Sequence, residues 1–333
     1  MTKMKKVLAL GLASVLAVSF AACSKGGNDD ANKGDANAAA KTGYSVISSV
    51  SEVKETTLTV DSVFAAVLVD ADGKIIDCKI DEAQTKPDLT VDGGTVSDAD
   101  LRTKLEKKED YGMKDTSAAA GIGKEWYEQI SAFETFAKGK TADEITAAVG
   151  ADGYASDADL KAGCTIHVGD IAKAVTNAVA NAQDLGASAS DTLKIDITTE
   201  KYYESNETNL QYDSNYAVVT LDADGKITSC LVDASQAKCS VADGKFTVSE
   251  GTFASKKELK EDYGMKNVSA AAGIGKEWYE QADAFEKWAV GKTASEITAG
   301  VGSDGYASDA DLKSGCTIIV SSLAQTVSNA ATV

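Results

Sequence analysis

Asp159-Leu160-Lys161-Ala162-Gly163-Cys164-Thr165 returns as Asp311-Leu312-Lys313-Ser314-Gly315-Cys316-Thr317, 152 residues further along a chain of 333. In both copies an aspartate stands six positions ahead of a threonine, and an amphipathic helical pattern follows. The glycine permits a tight turn. The threonine hydroxyl then falls just before a helix N-terminus, where free N–H groups and the helix dipole favour a phosphate. Each stretch therefore reads as the holding point of a phosphate-bearing group, and its recurrence reads as a duplicated domain.

The duplication extends outward from there. Lys108-Glu109-Asp110-Tyr111-Gly112-Met113-Lys114 recurs as Lys260 to Lys266, and the stretch from Gly121 to Gln129 recurs unchanged as Gly273 to Gln281. A constant offset of 152 is far too long for a solenoid period. The expected organisation is two tandem domains, 44–182 and 192–333, joined by a linker at 183–191. Phe64 to Val69 and Ile75 to Ile80 predict strands around an Asp70-Ala71-Asp72-Gly73 hairpin turn. By alternation, Ile76, Cys78 and Ile80 share a face, as do Thr228, Cys230 and Val232. Asp-x-Asp-Gly can also open a calcium loop, but the further oxygen ligands and the closing glutamate are missing. Trp126, Ile130, Phe133 and Ala137 form a helical stripe, matched by Trp278, Ala282, Phe285 and Ala289. Gly139 and Gly291 end these helices, and Thr141…Glu144 and Thr293…Glu296 are capping boxes for the next. Strands first and helices later predict an α+β fold: two homologous domains, each a mainly antiparallel sheet with helices on one face.

The formal charge is −18, and the single histidine and single proline leave little for histidine chemistry or a conventional zinc site. So acidic a surface repels nucleic acid and anionic lipid headgroups. Residues 1–22 read as an export signal, with Lys3, Lys5 and Lys6 ahead of a short apolar run from Val7 to Phe20. Ala21-Ala22-Cys23 resembles a bacterial lipobox, which implies lipidation at Cys23 and an anchor on the outer face of the cell membrane. Loss of the signal takes the charge to −21. Residues 23–43, rich in Gly, Asn, Asp, Ala and Lys, read as a flexible tether.

Gly121-Ile122-Gly123 followed by Asp159…Gly163-Cys164-Thr165, and Gly273-Ile274-Gly275 followed by Asp311…Ser314-Gly315-Cys316-Thr317, resemble the FMN-binding domain family. That family includes the flavin-carrying G and C subunits of ion-coupled NADH and ferredoxin oxidoreductases. The resemblance implies covalent FMN, joined by a flavin transferase through a phosphodiester to Thr165 and Thr317. It makes Asp159 and Asp311 the leading acids, and Gly163 and Gly315 the motif glycines. Cys164 and Cys316 stand where the family has alanine. Ala162 lacks the hydroxyl that Ser314 keeps, and alanines precede both Gly-Ile-Gly segments, so the second copy is the closer match. The implied function is electron transfer between a membrane-bound donor and an external acceptor. The rival reading is a cofactor-free surface lipoprotein that binds a solute or protein partner.

Cys78 and Cys164, like Cys230 and Cys316, occupy equivalent places. In an exported chain they are either disulfide pairs or small buried hydrophobes, with Cys239 left over. No Cys-x-x-Cys-His is present for covalent haem. His167, matched by Ile319, reads as a local substitution.

Overall fold

The computed structural model describes residues 38–54, 56–89, 99–203, 209–248 and 251–332. The expected signal segment and Cys23 lie outside the described residues, as does most of the expected tether. Among the described residues no helix is long and apolar enough to cross a membrane.

The first repeat opens with three strands, β1 (Lys41–Lys54), β2 (Thr57–Val69) and β3 (Ile75–Thr85). The helices α1 (Lys104–Lys107), α2 (Lys114–Ala119), α3 (Trp126–Ala137), α4 (Ala142–Ala147), α5 (Ala158–Gly163) and α6 (Gly169–Ala180) follow. The second repeat has β4 (Thr192–Tyr203), β5 (Asn209–Leu221), β6 (Ile227–Ala242), β7 (Lys245–Thr247) and β8 (Gly251–Phe253). It closes with α7 (Lys256–Leu259), α8 (Lys266–Ala271), α9 (Trp278–Ala289), α10 (Ala294–Ala299), α11 (Ala310–Gly315) and α12 (Ser321–Ala330). The fold is α+β, with two four-stranded antiparallel sheets.

Both hairpin turns form as their sequences dictate. Asp70 Oδ1 accepts from the N–H groups of Asp72 and Lys74, and Gly73 takes φ +77°. Immediately beyond the turn the alternation breaks. Val69 pairs with Ile75 and Leu68 with Asp77, so Ile76 is the extra residue of a bulge. Cys78 and Ile80 face the helices, whereas Ile76 packs with the opposite core. The same shift separates Thr228 from Cys230 and Val232. Period two alone therefore assigned Ile76 and Thr228 to the wrong face.

On the helix side of the first sheet, Val63, Ala65, Val67, Cys78 and Ile80 pack against Trp126, Ile130 and Phe133 of α3 and Ile171 and Val175 of α6. The second repeat repeats this core around Phe285, with Trp288 5.6 Å away between ring centres. The opposite faces of the two sheets meet each other. Phe64, Ala66 and Leu68 pack with Leu193, Ile197, Tyr216 and Val218, and the Phe64 and Tyr216 ring centres lie 5.2 Å apart. Polar pairs cross the same junction: Thr42 with Ser229 at 2.8 Å, and the Tyr44 hydroxyl donating to Asp233 at 2.9 Å. β8, from the second repeat, completes the edge of the first sheet by pairing with Ser48 to Val50 of β1.

The joining segment is held as well. Ala40 N–H donates to Ala187 O, and Thr42 and Gln183 exchange both backbone bonds. Accordingly β1 begins at Lys41, inside the stretch that composition marks as tether. The five described cysteines are buried free thiols, so they act here as small core hydrophobes.

Asp81 sits buried within β3, the edge strand of the first sheet, and accepts from the N–H groups of Glu82 (2.7 Å) and Leu105 (3.1 Å). Burial pushes its carboxyl from 3.8 up to about 7. Between those values the folded chain holds a proton that the unfolded chain has released, so stability falls as pH rises through this window. In Asp81→Asn the acceptor remains and the ionisation is gone. Its unfolding free energy should lack up to about 4 kcal/mol of the parent's decline between pH 4 and 7. Urea titrations at several pH values check this, and parallel curves for the two chains would remove the assignment.

Candidate functional site

Cys164 to Val168 link α5 to α6, and Cys316 to Val320 link α11 to α12. The helix before each link is capped by an aspartate the motif did not single out. Asp157 Oδ1 accepts from the N–H groups of Asp159 and Leu160, and Asp309 does the same for Asp311 and Leu312. These bonds hold the Asp309 carboxyl below the ordinary carboxylate range. Asp159 and Asp311 themselves are exposed in the first helical turn, where a negative charge suits the dipole.

Gly163 and Gly315 serve packing, not the tight turn that the motif suggests. Neither has a positive φ; a Cβ on Gly163 would lie 2.7 Å from Ala132 Cβ, and one on Gly315 2.7 Å from Ala284 Cβ. The glycine lets α5 lie on α3, and α11 on α9. Ser314 is exposed and donates to Asp311 O. Cys164 and Cys316 turn into the core, and burial pushes both thiols up to about 11.

The threonines are half-buried. Each is held by a glutamine on the core face of the neighbouring helix. Gln129 Oε1 accepts from Thr165 N–H (2.9 Å) and Thr165 Oγ1 (3.3 Å). Gln281 Oε1 accepts from Thr317 N–H (2.8 Å), Thr317 Oγ1 (3.2 Å) and Ile318 N–H (3.2 Å). Both glutamines are fully buried, and their amide nitrogens donate to the carbonyls of Lys124 and Lys276. The Gly-Ile-Gly loops supply those carbonyls. Gly121 and Gly123 (φ +92° and +58°), like Gly273 and Gly275 (+93° and +58°), fold the chain back ahead of α3 and α9. Buried Ser117 and Ser269 clasp the loops by bonding both N–H and C=O of Lys124 and Lys276.

A cavity of about 440 Å³ opens beside Thr317. Trp278, Tyr263, Met265, Ser269 and Ala272 line it from α8, α9 and the preceding turn. Glu200, Tyr202, Gln211, Asp213 and Asn215 line it from β4 and β5, and Ile318, Ile319, Ser322 and Leu323 from the threonine link and α12. Lys256 also lines it, its Nζ 5.1 Å from the Tyr263 ring centre and 5.3 Å from that of Trp278. Burial lowers the pKa of this lysine. Its counterpart Lys104 sits over Tyr111 and Trp126 but is ion-paired with Glu82 at 2.5 Å, where the second repeat has Ala234.

The rim is apolar and exposed. Tyr202, Val268, Tyr306 and Ile319 show 47, 65, 43 and 59% of their surface, and all four border this one cavity. Four exposed apolar side chains thus gather around one opening. In the first repeat Ser51, Thr116 and His167 replace Tyr202, Val268 and Ile319, and only Tyr154 keeps its aromatic counterpart. His167 packs edge-on to Tyr154 at 5.4 Å and lies against Gly153, a local packing role.

The helix-start N–H groups are already engaged in part. Val168 N–H donates to Gly153 O, and the N–H groups of Val320 and Ser321 both donate to Gly305 O. Glu200 accepts from Ser322 Oγ in the first turn of α12. The helix end beside Thr317 is therefore not bare, and the charged side chains on the cavity wall are Lys256, Glu200 and Asp213. Of the residues nominated by sequence, the structure brings Thr317 to the cavity wall, whereas Cys316 turns into the core; Trp278, read from sequence as a stripe residue, lines the cavity as well. Gln129, Gln281 and Lys256 were missed. A polar residue repeated unchanged on the apolar stripe of α3 and α9 was the signal for the glutamines.

No family model and no solved structure matches the chain. A chlorophenol reductase of Desulfitobacterium hafniense is 36% identical over 93 residues, which are 24% of this chain and 28% of that protein. The chain thus matches under a third of that relative's length.

Proposed function

We propose that the protein is a lipid-anchored, extracytoplasmic electron carrier whose FMN is joined through its phosphate to Thr317, and to Thr165 in the first repeat. The carrying observation is a half-buried hydroxyl on the wall of a cavity of about 440 Å³ rimmed by exposed apolar side chains. Small-molecule and cofactor sites occupy roughly 300–1,000 Å³. The residues present supply what the group needs: Thr317 the ester oxygen, Lys256 a cation beside the carboxylates Glu200 and Asp213, and Tyr263, Trp278, Tyr202 and Tyr306 faces for a planar ring.

When bound, the flavin supplies the redox chemistry. The chain's own residues tether, orient and shelter it. The threonine link is pinned by Gln281, aromatic and aliphatic side chains line one side of the cavity opposite the polar residues of β4 and β5, and the exposed rim leaves the site open to a partner. A tether matters outside the cell membrane, where a lost cofactor has no pool from which to be replaced. The partial likeness to a protein named as a reductase is in keeping with redox work. Donor and acceptor are a membrane-bound carrier and an external oxidant.

The test is intact-protein and peptide mass spectrometry of chain co-expressed with a flavin transferase. An FMN-sized adduct on the peptide containing Thr317, with less on that containing Thr165, is the expected result. Colourless, unmodified protein would favour the cofactor-free binding lipoprotein.

A further inference from the structure

We propose that Gln281, and Gln129 in the first repeat, are positioning residues for attachment of the group to threonine. This rests on the flavinylation reading above and adds to it a residue that aims the acceptor hydroxyl.

Gln281 is fully buried, and its Oε1 accepts from Thr317 Oγ1 at 3.2 Å. A hydroxyl has one proton and two lone pairs. With the proton committed to Gln281, the lone pairs are free on the side away from the glutamine, and Thr317 lines the cavity. The same Oε1 takes the N–H groups of Thr317 and Ile318, which fixes the backbone that carries the hydroxyl. The amide is itself fixed, because its nitrogen donates to Lys276 O at 3.1 Å. The Gly-Ile-Gly loop and the Gly-Cys-Thr link, about forty residues apart in each repeat, are thereby coupled through one side chain.

Attachment forms the Thr317 Oγ1–phosphorus bond and breaks the pyrophosphate bond of a flavin dinucleotide. The nucleoside monophosphate leaves with the bridging oxygen, and the hydroxyl proton, turning from Gln281 Oε1 as the bond forms, passes to a base of the transferase. An amide oxygen is too weak a base to take that proton, so Gln281 orients without being protonated. Once the ester has formed, the two backbone N–H bonds to Oε1 remain, and the link keeps its shape.

The experiment times adduct formation by mass spectrometry with purified chain, a flavin transferase and flavin dinucleotide, reading the Thr165 and Thr317 peptides separately. Gln281→Met keeps the length and removes the acceptor; Gln281→Glu keeps the acceptor, and as the neutral acid favoured by burial it also donates to Lys276 O in place of the amide. The expected result is at least a tenfold slower adduct at Thr317 in Gln281→Met, within about threefold of the parent in Gln281→Glu, and an unchanged rate at Thr165 in both. An unslowed Gln281→Met overturns the proposal. So does equal loss in both variants with Thr165 unaffected, which would make the glutamine a packing residue. Parent chain that takes no adduct at either threonine removes the flavin reading together with this one.

Discussion

Thr165→Ala/Thr317→Ala chain, matured beside a flavin transferase, should carry no covalent flavin, and Thr317→Ala alone should lose at least half of the parent's. The second site has the apolar rim, the cavity and a lysine beside which Ala234 replaces the Glu82 of the first repeat, whereas Ser51, Thr116 and His167 make the first rim polar. Serine in place of either threonine keeps the hydroxyl and should keep the adduct. The fold should barely notice the alanines. Each removes one hydroxyl–amide bond at a half-buried position, worth about 1 kcal/mol, while the backbone N–H bonds to Gln129 and Gln281 persist. Denatured-gel flavin fluorescence, with urea titration of the same samples, measures both effects. Covalent flavin persisting in the double variant would move the attachment elsewhere and end the assignment of these hydroxyls.

Gly43→Val should destabilise the protein by about 3 kcal/mol or more. A Cβ at residue 43 would lie 2.1 Å from Ala178 O, 2.8 Å from Ala182 Cα and 2.9 Å from Ala182 N. These are backbone atoms of the last turn of α6 and of the segment just beyond it, which cannot swing aside as a side-chain tip can. α6 packs on β1 and β2, so lifting it opens the first core around Ile171 and Val175. Urea titration reads the loss directly. A change under about 1 kcal/mol would mean that α6 does not lie on β1 as described.

Gly43 also shows where reading along the chain stops. It closes a run of small and polar residues that composition marks as a tether, and nothing local distinguishes it from its neighbours. Its meaning is a contact with residues 135 or more positions away. The bulge residues Ile76 and Thr228 make a similar point at short range, since a single inserted residue reverses the face and composition does not reveal it. Gln281 was legible in principle, as a polar side chain on an apolar stripe, but its partner lies 36 residues on.

Local chemistry alone settled the duplication, the Asp-x-Asp-Gly turns, the capping boxes, the helical stripes and the α+β class. Each of those depends on periodicity or on a bond spanning a few residues, and the chain states it twice. Tertiary structure alone decided that the two sheets share a core through Phe64 and Tyr216, and that β8 completes the other repeat's sheet. It also decided that Gly163 and Gly315 serve helix packing, and that a cavity opens beside Thr317. These depend on which surfaces meet across long sequence separations, where burial and close packing choose among partners that no local pattern ranks.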